Sequence, residues 1–201
     1  MKHSLIALFS IAALSASALA AEKKEFVPHP VTATFFISGV ECGNCVDAIT
    51  ESVKKVKSVT AVKMDSATGY ANISFDTHVS SYHQIAQAIA DAPPQHANKY
   101  AASLKVKVPD YAKGDNAKKI DAIFAKSATQ VRMEATDAAK GDFTLHFLPL
   151  AVDAKKEGPQ GWNAGKFGHP IGDPAPNGLG LKFLQVKEGQ AAAPKAAPKK
   201  K

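Results

Sequence analysis

"SGVECGNCVDAITESVKKVKSVTAVKMDSATGYANISFD", residues 38–76, holds the only two cysteines of the chain and changes its hydrophobic rhythm twice. It is entered from "VTATFFI" (31–37), where Val31, Ala33, Phe35 and Ile37 share one face of a strand. Past the cysteines, Val46, Ile49, Val53 and Val56 recur at helical spacing, which predicts an amphipathic helix over 44–56. "VTAVKM" (59–64) alternates again, "SATG" (66–69) turns the chain, and Ala71, Ile73 and Phe75 return on one strand face. The period runs from two to 3.6 and back to two.

Outward from this stretch the pattern completes itself. Ser81 and Gln84 have the spacing of a capping box, and Tyr82, Ile85 and Ile89 form the apolar stripe of a second helix. Pro93-Pro94 stops that helix, and "AASLKVKV" (101–108) reads as another strand. The order β-α-β-β-α-β predicts an α+β fold, a ferredoxin-like βαββαβ sandwich. A faint echo follows. "VKMD" (62–65) returns as "VRME" (131–134), "ISF" (73–75) as "LHF" (145–147), and Ile120, Ile123 and Phe124 mark a helix between them. "GLGLKFLQV" (178–186) supplies a closing strand. Residues 109–187 therefore read as a degenerate second ferredoxin-like repeat. Its cysteine loop has become "PDYAKGD" (109–115), and the Gly- and Pro-rich 157–178 stands where a second helix is expected. The strand at 101–108 is claimed by both units, so it is either shared in one fused sheet or one unit is incomplete.

The two ends are of another character. "MKHSLIALFSIAALSASALA" (1–20) has a positive start, an apolar core and a small-x-small cleavage site at Ala18-Leu19-Ala20, the make-up of a secretory signal peptide. Residues 21–30, with Pro28 and Pro30, form a lead-in to the domain at 31–108. The tail 188–201 is rich in Ala, Pro and Lys, with no large apolar residue, and is expected to be disordered. The mature protein is thus expected to be exported, periplasmic or secreted, monomeric and without a membrane span. Of the net charge of +7, Lys2 accounts for one and Lys195, Lys199, Lys200 and Lys201 for four. The remaining +2 is too weak to argue for nucleic acid.

The cysteine pair carries the chemistry. Two cysteines do not make a disulfide scaffold, and a bridge three positions apart closes too small a loop to stabilise much. Cys42 falls in the loop leaving a strand, Cys45 in the first turn of a helix, with Asn44 available as N-cap and Gly43 to fold the loop. Helix N–H groups and dipole favour thiolate there. On the residues alone, a redox couple, half a zinc site and a complete soft-metal clip all remain open. A thioredoxin-like oxidoreductase shares strand, CxxC and helix. Against it, no Trp precedes Cys42, and the β-β connection at 64–70 has no counterpart in that fold.

With its strand, Gly-hydrophobic-x-Cys-x-x-Cys, helix and two strands joined by a Gly turn, the stretch resembles the heavy-metal-associated domain of copper chaperones, periplasmic mercury-binding proteins and metal-transporting ATPases. The resemblance covers 31–92 well and 101–187 only in outline. It implies that Cys42 and Cys45 are the metal ligands and that Gly39 shapes their loop. Val40 stands where the family usually has Met, and Pro93-Pro94 replaces the Gly-Tyr or similar pair common after the second helix. Two thiolates satisfy Cu(I) or Hg(II); Zn(II) or Cd(II) needs further ligands. Glu41, where zinc- and cadmium-type members carry an acid, and His96 are the candidates. Cu(I) is the expected ion, given to or taken from a partner such as a metal-transporting ATPase by ligand exchange. The alternatives are a thiol-disulfide oxidoreductase or an interaction module with idle cysteines. No catalytic motif stands out, so a non-enzymatic protein is expected. Met64 and Met133 read as core, His29 and His83 as isolated and exposed, and Trp162 with Phe167 and His169 as filling for the missing helix.

Overall fold

The computed structural model describes residues 27–187; the expected signal peptide, most of the lead-in and the tail lie outside the described residues. The elements run β1 (Pro30–Ser38), α1 (Gly43–Lys54), β2 (Ala61–Asp65), β3 (Tyr70–Asp76), α2 (Tyr82–Ala90), β4 (Ala101–Lys107), α3 (Asn116–Ala125), β5 (Val131–Asp137), β6 (Asp142–Phe147), α4 (Gly165–Gly172) and β7 (Leu184–Gln185). All strand pairs are antiparallel, in the order β2-β3-β1-β4-β6-β5, with β7 beside β4. The first four strands thus stand as β4-β1-β3-β2, the ferredoxin-like order.

Alternation decides which face is covered. Register pairs Phe35 with Ala71, Ile37 with Ala102 and Leu104 with Leu145, so the buried apolar side chains of four strands share one face. Cys45, Ile49 and Val53 of α1 sit one turn apart and join that face, as do Ile85 and Ile89 of α2 and Ile120 and Phe124 of α3. The opposite face carries Thr32, Thr34, Asn72, Ser74, Lys105 and His146. The capping box at α2 is formed: Ser81 Oγ accepts from Gln84 N, and Ser81 N donates to Gln84 Oε1 at 2.8 Å.

Strand β4 belongs to both halves. It pairs with β6 along one edge from Ser103 to Lys107. Along the other edge β1 occupies only Ala101–Ser103, after which the two strands splay. The gap is taken by β7, which pairs with Val106 and Lys107, while Gln185 Nε2 reaches across to Thr34 O at 3.2 Å. Residues 178–186 therefore give a two-residue strand rather than a full closing one, because β1 already holds half of that edge.

The Gly- and Pro-rich segment also departs from expectation, for it contains α4 despite Pro170. Buried Phe167 and Ile171 anchor it, and tertiary packing outweighs the poor helix propensity of three glycines and a proline. Trp162, fully buried, packs on Tyr82, Phe147 and Phe167 at centroid distances of 6.0, 5.9 and 5.2 Å, so it joins α2 to the second half. His83 is buried too, contrary to its reading as an exposed residue. Its Nε2 lies 2.6 Å from Leu148 O, and its Nδ1 accepts from Trp162 N at 3.2 Å. Burial holds its pKa below the ordinary value. Met64 and Met133 are half-buried against the core.

Candidate metal centre

The loop that leaves β1 and the first turn of α1 bring the thiols together. Cys42 is the N-cap of α1, with extended backbone (φ −154°), and its carbonyl accepts from the N–H groups of Cys45 and Val46 at 3.2 and 3.4 Å. The cap is therefore Cys42, not Asn44, and the cap side chain is left to do other chemistry. The two Sγ atoms stand 3.2 Å apart and are not bridged, Cys42 half-buried and Cys45 buried.

The glycine that matters is Gly39, not Gly43. Gly39 has φ +85°, and a Cβ there would lie 2.7 Å from Lys99 O. Gly43 has an ordinary helical backbone, and a Cβ there would meet nothing within 4 Å. Close approach of two loops, rather than a turn between the cysteines, is what requires a missing side chain.

The second of those loops, 93–100, forms the far wall. His96 is exposed, with Nε2 3.2 Å from Cys42 Sγ, and the three donor atoms of Cys42, Cys45 and His96 lie within 4.8 Å of one another. Glu41 is not in that group; its Oε1 accepts from Asn98 Nδ2 at 3.1 Å and so ties the two loops together. At the loop's end, Tyr100 is buried; its hydroxyl oxygen accepts from Gln95 N at 3.1 Å and its O–H donates to Cys45.

That tyrosine sets the state of the thiol. Cys45 falls from the ordinary 9.0 to about 6, first through the Tyr100 hydroxyl and then through the backbone of Glu41 and the Cys42 thiol, against the opposing effect of burial. Tyr100 moves up in turn, by burial and by its bond to Cys45, and stays a donor. Cys45 is accordingly a thiolate at neutral pH, a nucleophile and a soft ligand. The Gly-Tyr or similar pair of the family follows the second helix directly, where Pro93-Pro94 stands here; Tyr100 comes several residues later, one position before β4. The signal for it was an isolated tyrosine ending a polar loop.

The family model of the heavy-metal-associated domain matches residues 34–94. Among known proteins, the copper chaperone CopZ of Bacillus subtilis (strain 168) is 36% identical over 58 residues, which is 29% of this chain and 84% of CopZ. Among solved structures, a protein of Bacillus anthracis str. Ames is 29% identical, the match covering 38% of this chain and 99% of that one with a TM-score of 0.33. The water-soluble region of the P-type ATPase CopA from Bacillus subtilis is 16% identical, covering 61% of this chain and 78% of that one with a TM-score of 0.35.

Proposed function

The chain belongs to the heavy-metal-associated domain family, and from that premise we propose that it is an exported carrier of one soft metal ion, Cu(I), held between Cys42 and Cys45. The observation that carries this reading is the pair of sulfurs 3.2 Å apart, and the Tyr100 hydroxyl beside Cys45 favours its thiolate form. Two thiolates match the softness and the low coordination number of Cu(I), whereas they leave a structural zinc shell half filled. Hg(II) fits the same pair; Zn(II) or Cd(II) would draw on further donors. The half-buried Cys42 lies at the loop surface, where a thiolate from an acceptor reaches the ion before it is released. A metal-transporting ATPase is the kind of partner this transfer suits. Among the described residues no helix is long and apolar enough to cross a membrane. Export rests on the leader at residues 1–20; a mature protein beginning "AEKKEF" and recovered from the periplasm or medium is its check.

Anaerobic titration of the reduced protein with Cu(I), against a competing chelator, tests the reading. One equivalent is held tightly by the wild type and lost by Cys42→Ser/Cys45→Ser. Binding that is weak, or indifferent to the double substitution, overturns it. The same depressed thiol would serve disulfide exchange, and turnover of a disulfide substrate by the metal-free protein would favour that reading.

A further inference from the structure

We infer that His96 is a third donor to the ion, so that the site is a preorganised two-sulfur, one-nitrogen clip. This rests on the two-thiolate reading and deepens it. The imidazole is carried by neither of the elements that present the cysteines, and yet its Nε2 lies 3.2 Å from Cys42 Sγ. Nor is it placed by a slack loop. Residues 93–100 are held at several points: Pro93-Pro94 restricts their start, Gln95 Nε2 donates to Pro93 O at 3.2 Å, and Gln95 N donates to Tyr100 Oη at 3.1 Å. Asn98 Nδ2 then fastens the loop to Glu41, next to Cys42, and the Lys99 carbonyl lies close over Gly39. The donor set is assembled before any ion arrives, and little ordering remains to oppose binding.

An imidazole changes what the site does. Neutral nitrogen beside two thiolates makes a three-coordinate position for Cu(I), and imidazole is at home on copper and zinc alike. A partner thiolate then does not enter an open position. It arrives deprotonated and forms a copper–sulfur bond as the copper–nitrogen bond breaks. His96 leaves as a neutral ligand with its own lone pair, and no electron changes owner. Because His96 is exposed, it swings out toward solvent without disturbing the core. The ion is retained against casual thiols and yielded to a partner that docks a thiolate beside the loop.

The experiment compares wild type, His96→Ala, Asn98→Ala and Cys42→Ser/Cys45→Ser, all reduced and loaded anaerobically with Cu(I). X-ray absorption of the copper, chelator competition and the rate of copper transfer to a small dithiol are read on each. The expected result is two sulfurs and one nitrogen around copper in the wild type and two sulfurs alone in His96→Ala. Affinity falls about tenfold or more with His96→Ala, transfer to the dithiol is faster, and Asn98→Ala lies between. A wild type with two sulfurs only, or a His96→Ala variant with unchanged affinity and transfer rate, overturns the inference while leaving the cysteine clip standing. Copper binding that survives the double serine variant overturns both. Circular dichroism of each variant before loading separates lost ligation from lost fold.

Discussion

Two loops leave adjacent strands of the same sheet for helices on the same face, and only one of them carries thiols. The first, 39–42, joins β1 to α1; the second, 108–115, joins β4 to α3. Their backbone frames match. Gly69, at φ +70° in the β2–β3 turn, accepts from Ile37 N at 2.8 Å, and Gly141, at φ +69° in the β5–β6 turn, accepts from Val108 N at 2.8 Å. At both glycines a Cβ would collide with the carbonyl of the strand end it touches, Ile37 O in one and Val108 O in the other. The fillings differ. The first loop is faced by His96 and Tyr100, which leave the sulfurs together, Cys42 half-buried at the rim and Cys45 buried beneath it. The second is closed by Tyr111, edge-on to Phe143 at 4.8 Å and donating to Asp121 at 2.9 Å, while Asn116 ties back to Asp110 O at 2.9 Å. The frame is a property of strand, turn glycine and helix; the metal chemistry is a separate set of side chains laid on it. The paired glycine contacts give the two loops one backbone frame with different side chains on it.

The hardest blow to this comparison is Trp162→Ala, because Trp162 joins the halves. Removing a fully buried indole that packs on Tyr82, Phe147 and Phe167 is expected to cost about 3–5 kcal/mol. If the shared β4 makes one cooperative body, urea unfolding followed by tyrosine fluorescence and by circular dichroism shows a single shifted transition. Two separated transitions, with the first half unmoved, would show that the halves stand independently.

The turn glycines hold the same frame in both halves. Gly69→Ala and Gly141→Ala each force an L-residue to positive φ against a backbone carbonyl, at an expected cost of about 1–3 kcal/mol apiece. Their functional consequences should diverge: Gly69→Ala disturbs the end of β1 and weakens Cu(I) binding, whereas Gly141→Ala leaves the affinity unchanged. Equal losses of affinity would mean that the second loop supports the site through β4.

Tyr100→Phe tests the filling alone. Without the hydroxyl, Cys45 climbs from about 6 back toward 9.0, read as thiolate absorbance against pH. The sign for stability follows. A thiol with a lowered folded pKa adds stability above its unfolded pKa, and that stability is lost as pH falls through about 6. The variant's stability should therefore vary less between pH 9.0 and 6. An unchanged titration would assign the depressed thiol to the helix terminus instead.

Period and punctuation made the first unit legible. Ile49 and Val53, the Ser81–Gln84 box and Ala71-Ile73-Phe75 each lie where alternation or helical spacing put them. The thiol pair was legible because two cysteines stood between a strand and a helix. His96 was visible only as a histidine past the second helix, and Tyr100 was not singled out. Both reach Cys42 and Cys45 across more than fifty residues of chain, through a loop whose course has no period. The shared strand posed the right question, but its answer depends on β1 and β4 splaying after Ser103, a tertiary event. Helix α4 was missed because Phe167 and Ile171, buried against the rest of the core, override glycine and proline. His83 was misplaced for the same reason, since Trp162 and Leu148 arrive from the second half to cover it.

The smallest expected effect falls on the residue that the spacing made most conspicuous. Gly43, between the two cysteines, invites the idea that glycine is needed to bring the sulfurs together. The geometry says otherwise, since it sits on an ordinary helical backbone and a Cβ there faces open space. Gly43→Ala should therefore leave Cu(I) affinity and the Cys45 titration unchanged. It should also stabilise the fold slightly, by about 0.4–1 kcal/mol, because the unfolded chain has fewer conformations to lose. Gly39→Ala is the control, identical in chemistry and four positions away. There the added methyl meets Lys99 O at 2.7 Å, and loop 93–100 must retreat and take His96 with it. If the Gly43 variant lost copper while the Gly39 variant kept it, the donors would be gathered by the turn between the cysteines. The opposite result assigns the gathering to the seam between two loops, where Lys99 O lies over Gly39.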